Sequence, residues 1–523
     1  MIKEHHRNIS RRVGTVSFFT FLSRIAGLIR DGVLAWAFGA TRVADAFYVA
    51  FRIPNLLRRL VAEGALTVAF VPVYTEYLKK SRKDAKEAAS VIFTYLSLFL
   101  ALIVVAGVLF APFLVKLIAW GFSAEPEKFE LTVYLTRLMF PYIFLISLVA
   151  LAMGILNSLK RFAVPAAAPI LLNLAIIFGA TVLWKFFEVP TVGLALGVLL
   201  GGVLQLSLQI PSLIKEGMLP SFNFNWRHKA LRSMLLLMIP SAFGAAVYQI
   251  NVLIVTLLAS FLPDGSVSYL WYADRVSEFP LGIFAIAVAT AALPTLSEHA
   301  VKKDMVSMRE TINFSLRLNF LIAIPSMVGL YLLSGLSVSV LFERGEFGAT
   351  TAVATAGALA IFALKIPFVS GVRNLVPVFF ALRDAKTPVY VAVGAVIINA
   401  IVAMTFMSTM LHLGLALALV VSSAFNFVLL IFLLRKKIGC IGIKKLSISV
   451  LKTCIATAVM GTMIVVVKSI VDVDMMTSLW LRGIVLISLI LAGIFVFGLV
   501  TRFINIEEYH AMMGMIKRRR KRV

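Results

Sequence analysis

Three apolar stretches of this chain carry charges where the interior of a bilayer would penalise them. Residues 13–38 include Arg24, Arg30 and Asp31. Residues 46–77 include Arg52, Arg58, Arg59 and Glu63, and a later stretch includes Asp274, Arg275 and Glu278. A charge in hydrocarbon costs at least about 2.5–3.5 kcal/mol, so such side chains are expected to face a polar or watery interior. In the first two stretches every cation is arginine. A guanidinium fork grips phosphate bidentately, whereas lysine offers a point charge. The chemistry expected of such a lining is the holding of an anion, a pyrophosphate or another phosphate-bearing headgroup.

Spacing refines the expectation. Arg24 and Asp31 lie two helical turns apart on one face, with Arg30 roughly 120° round from Arg24. Asp31 is expected to pair with an arginine of a neighbouring helix, Arg59 with Glu63 at i,i+4, and Arg275 with Glu278 one turn on. The blander account is that these charges form internal salt bridges or snorkel to the membrane surface. Arg317, Lys365 and Arg373, single charges near segment ends, are expected to snorkel.

The elements that position these charges follow from composition. The 523 residues are 61% hydrophobic and only 14% charged, with a mean hydropathy of +0.97. A soluble protein of this size could not bury that much apolar surface. About fourteen segments reach the roughly 20 residues that span a bilayer. They are 13–38, 46–77, 90–119, 131–158, 165–187, 191–214, 231–261, 268–298, 311–341, 350–382, 388–408, 412–434, 446–467 and 478–503. The apolar runs are continuous rather than alternating, which predicts helices and not a barrel, hence an all-α polytopic membrane protein.

The net charge of +25 does not point to nucleic acid, because its distribution follows the loops. Lys79, Lys80, Arg82 and Lys83 fall at one end of the spans. So do Lys160 and Arg161, Lys302 and Lys303, Arg383 and Lys386, and Arg435 to Lys437. Both basic termini join them, while the opposite loops, such as 123–130 and 263–268, are short and poor in cations. The positive-inside rule therefore places both termini in the cytoplasm. The first helix has no small-residue cleavage site and is expected to be retained. The two cysteines, Cys440 and Cys454, imply neither a disulfide framework nor a metal site. The six histidines are scattered, and neither a P-loop nor an Asp-rich diphosphate motif is present. An enzyme is not expected, and a membrane-embedded transferase would need a carboxylate–metal cluster that the sequence lacks.

An internal repeat organises the chain. Pro54 and Pro280, Pro141 and Pro367, Leu156 and Leu382, Lys160 and Lys386, and Asn173 and Asn399 are each separated by 226 residues. That offset covers six spans, so both copies enter the membrane from the same side as a parallel repeat. The expected divisions are a first six-helix lobe at 1–220, a second at 221–440, and two further helices with a basic tail at 441–523. Two such lobes are expected to flank a central cavity. Pro54 and Pro280 should kink the second helix of each lobe.

The runs FLSRIAGLIRD (21–31), ADAFYVAFRIPNLLRRLVAEGALTVAFVP (44–72) and GSVSYLWYADRVSEFPLGIFAIAVATAALP (265–294) strongly resemble the MurJ (MviN) family. These are the lipid II flippases of the multidrug/oligosaccharidyl-lipid/polysaccharide exporter superfamily, and the resemblance covers essentially the whole chain. It implies movement of undecaprenyl-pyrophosphate-linked peptidoglycan precursor from the cytoplasmic to the outer leaflet of the bacterial inner membrane. It also implies contact with membrane lipids and partners in the cell-wall synthesis machinery. Arg24, Arg30, Asp31, Asp45, Arg58, Arg59, Arg275 and Glu278 would line or gate the cavity, with Arg52, Glu63 and Asp274 beside them. Arg30, Arg58 and Arg275 would touch the pyrophosphate, and the last two helices would form a groove for the lipid tail. No cofactor is implied. A sodium site known in some members is not expected here, because 231–261 and 388–434 contain no Asp or Glu and Val255 and Ala403 stand where an acid would be. Membrane potential acting on the cavity charges is the expected drive. A flippase for another polyprenyl-linked polysaccharide unit follows the same pyrophosphate logic. A multidrug exporter of the superfamily would instead place carboxylates and aromatics in its cavity.

Overall fold

The computed structural model describes residues 2–59, 66–282, 286–471 and 478–520, and their side chains except at 2–13, 67–68, 239–248, 286–293 and 515–520. Those residues are helical nearly throughout. The elements are α1 (Ile2–Phe38), α2 (Arg42–Leu57), α3 (Thr67–Lys80), α4 (Arg82–Leu109), α5 (Ala111–Ile118), α6 (Pro126–Met139), α7 (Tyr142–Ser158), α8 (Ala163–Thr181) and α9 (Pro190–Lys215). The second series runs α10 (Lys229–Ala259), α11 (Ser266–Pro280), α12 (Ile286–Lys302), α13 (Met305–Leu332), α14 (Ser334–Phe342), α15 (Ala349–Leu364), α16 (Ile366–Ala381), α17 (Lys386–Met410) and α18 (His412–Ile438). Then come α19 (Ile443–Ile470), α20 (Leu479–Phe503) and α21 (Glu507–Arg520).

Local chemistry sets the boundaries. Thr41, Ser81 and Asp304 cap α2, α4 and α13 through their side-chain oxygens, and prolines open α6 and α9 where a missing N–H costs nothing. Pro54 and Pro280 do more than kink a helix. α2 stops three residues after Pro54 and α11 stops at Pro280, each leading into a π-helical turn at 58–59 and 281–282. The order of elements repeats among the described residues: long α1 and α10, then α2 with α3 and α11 with α12, α4 and α13 with short followers, α6 with α7 and α15 with α16, and two unbroken helices each. Among the described residues nine helices are long and apolar enough to cross a membrane, ten with the α15/α16 pair bent by 43°. Fourteen spans were expected. Within the segments expected at 46–77 and 268–298, α2 ends at Leu57 and α11 at Pro280, and residues 60–65 and 283–285 lie outside the described residues.

The chain forms two compact units, residues 1–268 with 344–347, and residues 269–343 with 348–523. In the first, α8 packs along α9 and α1, and α10 packs on α3, α4 and α5. Hence α10, which opens the second copy of the sequence repeat, belongs by packing to the first unit. Small residues permit the α8–α9 contact: a methyl group on Gly179 would come within 2.6 Å of the Gly193 carbonyl. The core of this unit runs through Phe70, Tyr74, Ile92, Phe140 and Leu151. In the second unit α13, α16 and α18 bury Leu316, Leu375, Phe379 and Leu430. The last two spans also lie in this unit, with Met460, Ile464, Leu486 and Leu489 packed against Leu333 and Leu336 of the α13–α14 region.

Candidate functional site

In the first unit Arg30 is the best-anchored arginine. It donates Nε and Nη2 to Oδ1 of Asp31 at 3.0 and 2.7 Å, and Nη1 to Oδ1 of Asn173 on α8 at 3.0 Å. Asn173 in turn donates Nδ2 to the Ser23 carbonyl at 3.2 Å, tying α8 back to α1. Asp31 thus takes its own neighbour in sequence as an ion-pair partner, where an arginine of a neighbouring helix was expected. Adjacent residues on a helix splay apart, but the long guanidinium stem folds back far enough to reach. Arg24, half-buried, lies two turns before Asp31 on the same helix.

α2 contributes Arg52, whose Nη1 donates to Thr256 Oγ1 on α10, and Arg58 at the π-helical turn, whose Nε donates to Asn55 Oδ1 at 2.9 Å. Arg59 is half-buried beside it. Glu63, expected to pair with Arg59, lies outside the described residues. Arg24, Arg30, Arg52, Arg58 and Arg59 thus share α1, α2 and the turn that follows, and hydrogen bonds of Arg30, Arg52 and Arg58 go to neutral amide or hydroxyl oxygens beside the Arg30–Asp31 ion pair.

Asp45 sits apart from these arginines in sequence and in partners. Its carboxylate accepts the N–H of Gly265 at 2.8 Å, and the N–H and hydroxyl of Ser268 at 2.9 and 2.6 Å. Lys128 Nζ lies 3.4 Å from it, also donates to Asp264, and rests 4.2 Å over the Phe122 ring. Both Lys128 and Asp45 are 1% exposed, so each neutralises the other in a place water does not reach. Sequence reasoning missed Lys128, assigning it to the short loop 123–130. The usable signal was Pro126, a helix-opening residue that puts Lys128 in the first turn of α6 rather than in a solvated loop.

In the second unit the charges pair differently. Lys365, at the α15–α16 bend, donates Nζ to Asp274 Oδ1 at 2.6 Å and lies 4.0 Å over Phe362. Arg373 on α16 reaches both oxygens of Glu278 at 3.2 and 3.3 Å. Arg275 does not take Glu278, as was expected; its guanidinium lies 4.5 Å over the Trp271 ring. Arg317, Lys365 and Arg373 were expected to snorkel and instead form ion pairs. Arg317 binds Glu507 at 2.9 Å and also Glu508, fastening α21 to α13. Their carboxylate partners lie too far along the chain for sequence spacing to show. Among the described residues no group of His, Cys, Asp or Glu could hold a metal ion, and Val255 and Ala403 are buried.

Comparison with known proteins bears on these charges. The family described as lipid II flippase MurJ matches residues 34–491. The lipid II flippase MurJ of Burkholderia cenocepacia is 40% identical over 435 residues, covering 82% of this chain and 84% of its own length. The probable lipid II flippase MurJ of Haemophilus influenzae is 32% identical over 510 residues, covering 94% and 99%. A solved lipid II flippase MurJ in an inward closed conformation superposes with a TM-score of 0.79 at 28% identity, over 95% of this chain and 99% of that one. An inward-facing multidrug resistance transporter of the MATE family in the MOP superfamily reaches a TM-score of 0.66 at 14% identity, over 80% and 95%, and shares the fold.

Proposed function

The chain belongs to the lipid II flippase MurJ family, and from that premise we propose that it carries lipid II from the cytoplasmic to the outer leaflet of the bacterial inner membrane by alternating access. It is a transporter and not an enzyme. Arg24, Arg30, Arg58, Arg59 and Arg275 take the pyrophosphate; Asp31, Asp45, Arg52, Glu63, Asp274 and Glu278 line or gate the route. The observation that supports this reading is the concentration of arginine, the residue whose fork grips phosphate bidentately, on α1, α2 and the turn after α2: Arg24, Arg30, Arg52, Arg58 and Arg59. Hydrogen bonds to Asn173, Thr256 and Asn55 orient three of these guanidinium groups, Arg30 in addition to its ion pair with Asp31.

Within this reading the repeat divides at 220 and 440, both termini are cytoplasmic, and the last two helices hold the lipid tail. Membrane potential supplies the drive, at about 2.3 kcal/mol per charge per 100 mV. Cell-wall synthesis enzymes are the expected partners on the product side.

The test is transport by the purified protein in vesicles carrying lipid II with a fluorescent headgroup, read by quenching from one side. Leaflet exchange should depend on the protein and exceed that of a polyprenyl-pyrophosphate sugar lacking the peptide. Equal exchange of both lipids would favour a polysaccharide-unit flippase, and uptake of an organic cation alone would favour a drug exporter. Orientation is read by labelling introduced cysteines in a Cys440→Ser, Cys454→Ser background. Ala124→Cys and Glu188→Cys, both at exposed positions, should react from outside, and Lys83→Cys and Lys303→Cys, equally exposed, should not.

A further inference from the structure

A cavity of about 490 Å³ opens at one end of the first unit, away from the arginines of α1 and α2. Its walls come from three places: Thr15 on α1, the α7–α8 turn, and the last turn of α9. Lys160, Arg161 and Lys215 face it, and Phe162 and Val164 supply an apolar wall. Among the described residues the one carboxylate lining it, Glu216, accepts from Arg161 Nε at 2.8 Å and from Arg82 Nη2 at 3.1 Å. Those two guanidinium groups hold the Glu216 carboxyl below the usual range, so it stays ionised and occupied. Four cations therefore meet one carboxylate. α8 starts on this wall with Phe162 in the capping place and no side-chain cap hydrogen bond at its first turn.

The matching turn of the second unit is an internal control. Both turns end a helix with a left-handed residue that is not glycine, Lys160 at φ +63° and Arg383 at φ +58°. In both, the next N–H reaches back five residues, Arg161 to the Leu156 carbonyl at 2.8 Å and Asp384 to the Phe379 carbonyl at 2.9 Å. There the likeness ends. Asp384 caps α17 by accepting the Thr387 N–H at 3.0 Å and hydroxyl at 2.7 Å, and it pairs with Lys437 on α18 at 2.7 Å. The second unit thus supplies its own anion where the first has Arg161 and an uncapped helix.

We propose that this cavity binds the phosphate of an anionic membrane lipid headgroup. The helices beneath it, α8 and α9, are apolar spans, so the cavity lies at a membrane boundary and its apolar wall meets the glycerol end of a lipid. Basic recesses between spans on the cytoplasmic side suit such headgroups, and the volume falls within the roughly 300–1,000 Å³ of small-molecule sites.

The experiment measures fluorescence anisotropy of a labelled short-chain phosphatidylglycerol with the full-length protein in neutral detergent. Phosphatidylcholine and inorganic phosphate serve as competitors. The wild type should bind the anionic lipid, phosphatidylcholine should compete at least tenfold more weakly, and added salt should weaken binding. The double exchange Arg161→Asp with Glu216→Lys rebuilds the second unit's pairing and lets a carboxylate at position 161 cap Val164. It should bind at least tenfold more weakly while keeping its melting temperature. Lys160→Gly relieves the left-handed backbone, so it folds at least as well, and it should also weaken binding severalfold. Unchanged binding in Lys160→Gly and in the double exchange overturns the proposal. So does competition by phosphatidylcholine equal to that of the anionic lipid, whereas inorganic phosphate competing as well as the lipid would make this a free-anion site and overturn the lipid assignment.

Discussion

The two units handle their intramembrane charges in opposite ways. In the first, Arg30 shares its guanidinium between Asp31 and Asn173, and Arg52 and Arg58 hydrogen-bond to Thr256 and Asn55. In the second, Asp274 and Glu278 each have a dedicated cation, Lys365 and Arg373, and Arg275 stacks on Trp271. A neutral partner orients a guanidinium and leaves its charge available; a carboxylate cancels it. Under the function proposed above, the arginines of the first unit are the chief anion-holding groups. The second contributes Arg275 and otherwise holds itself together by ion pairs.

The largest effect should follow from Arg30→Ala. It removes one of the oriented cations and breaks the ion pair of Asp31, whose side chain is only 4% exposed. Leaving a buried charge without its partner costs about 3–5 kcal/mol, so complementation of a strain lacking its flippase should fail and thermal stability should fall. Arg30→Lys should keep most of the stability but only part of the transport, because a point charge cannot serve Asp31 and Asn173 together. Full transport in Arg30→Ala would break the comparison at its centre.

Arg275→Ala comes next. Transport should drop at least a hundredfold while the protein still accumulates in the membrane. Adding Glu278→Ala should not restore it, because Glu278 is already served by Arg373. Recovery in that double variant would show that Arg275 neutralises Glu278 and would remove it from the anion site. Arg373→Ala should be milder. The pair is part-exposed, 29% and 37%, so its loss costs under about 1 kcal/mol. Here Glu278→Ala should compensate, and stability in the four-member cycle measures the coupling.

The helical class and membrane character were legible because apolar runs of spanning length admit few alternatives. So was the arginine bias, since charge type can be read residue by residue. Pro141 and Pro367, matched at the repeat offset, mark the starts of α7 and α16. The partners were not legible. Arg30 finds Asn173 across 143 residues and Lys365 finds Asp274 across 91; the i,i+4 rule sees only one turn along a single helix. Arg275 looked paired to Glu278 for that reason, although a long-range competitor on α16 had the better approach. Lys128 escaped because a cation in a short loop normally signals solvent, whereas here the loop contributes the first turn of a helix whose lysine is fully enclosed with Asp45.

The smallest effect concerns coupling cations, and it sharpens the comparison from the other side. A hard cation such as sodium wants several oxygens, usually with a carboxylate among them. In the second unit Asp274 and Glu278 are engaged by Lys365 and Arg373, and α17 and α18 contain neither Asp nor Glu. Binding sodium at Asp274 or Glu278 would require breaking an ion pair and leaving a lysine or arginine without its counter-charge. Replacing sodium with choline at fixed membrane potential should therefore change the lipid II flipping rate less than twofold. Collapsing the potential with a potassium ionophore should slow it far more, because the surplus charge of the first unit couples directly to the field. Strict sodium dependence at constant potential would mean that a carboxylate of the second unit exchanges its cation during the cycle. The division of labour between the two units would then be a property of one state only.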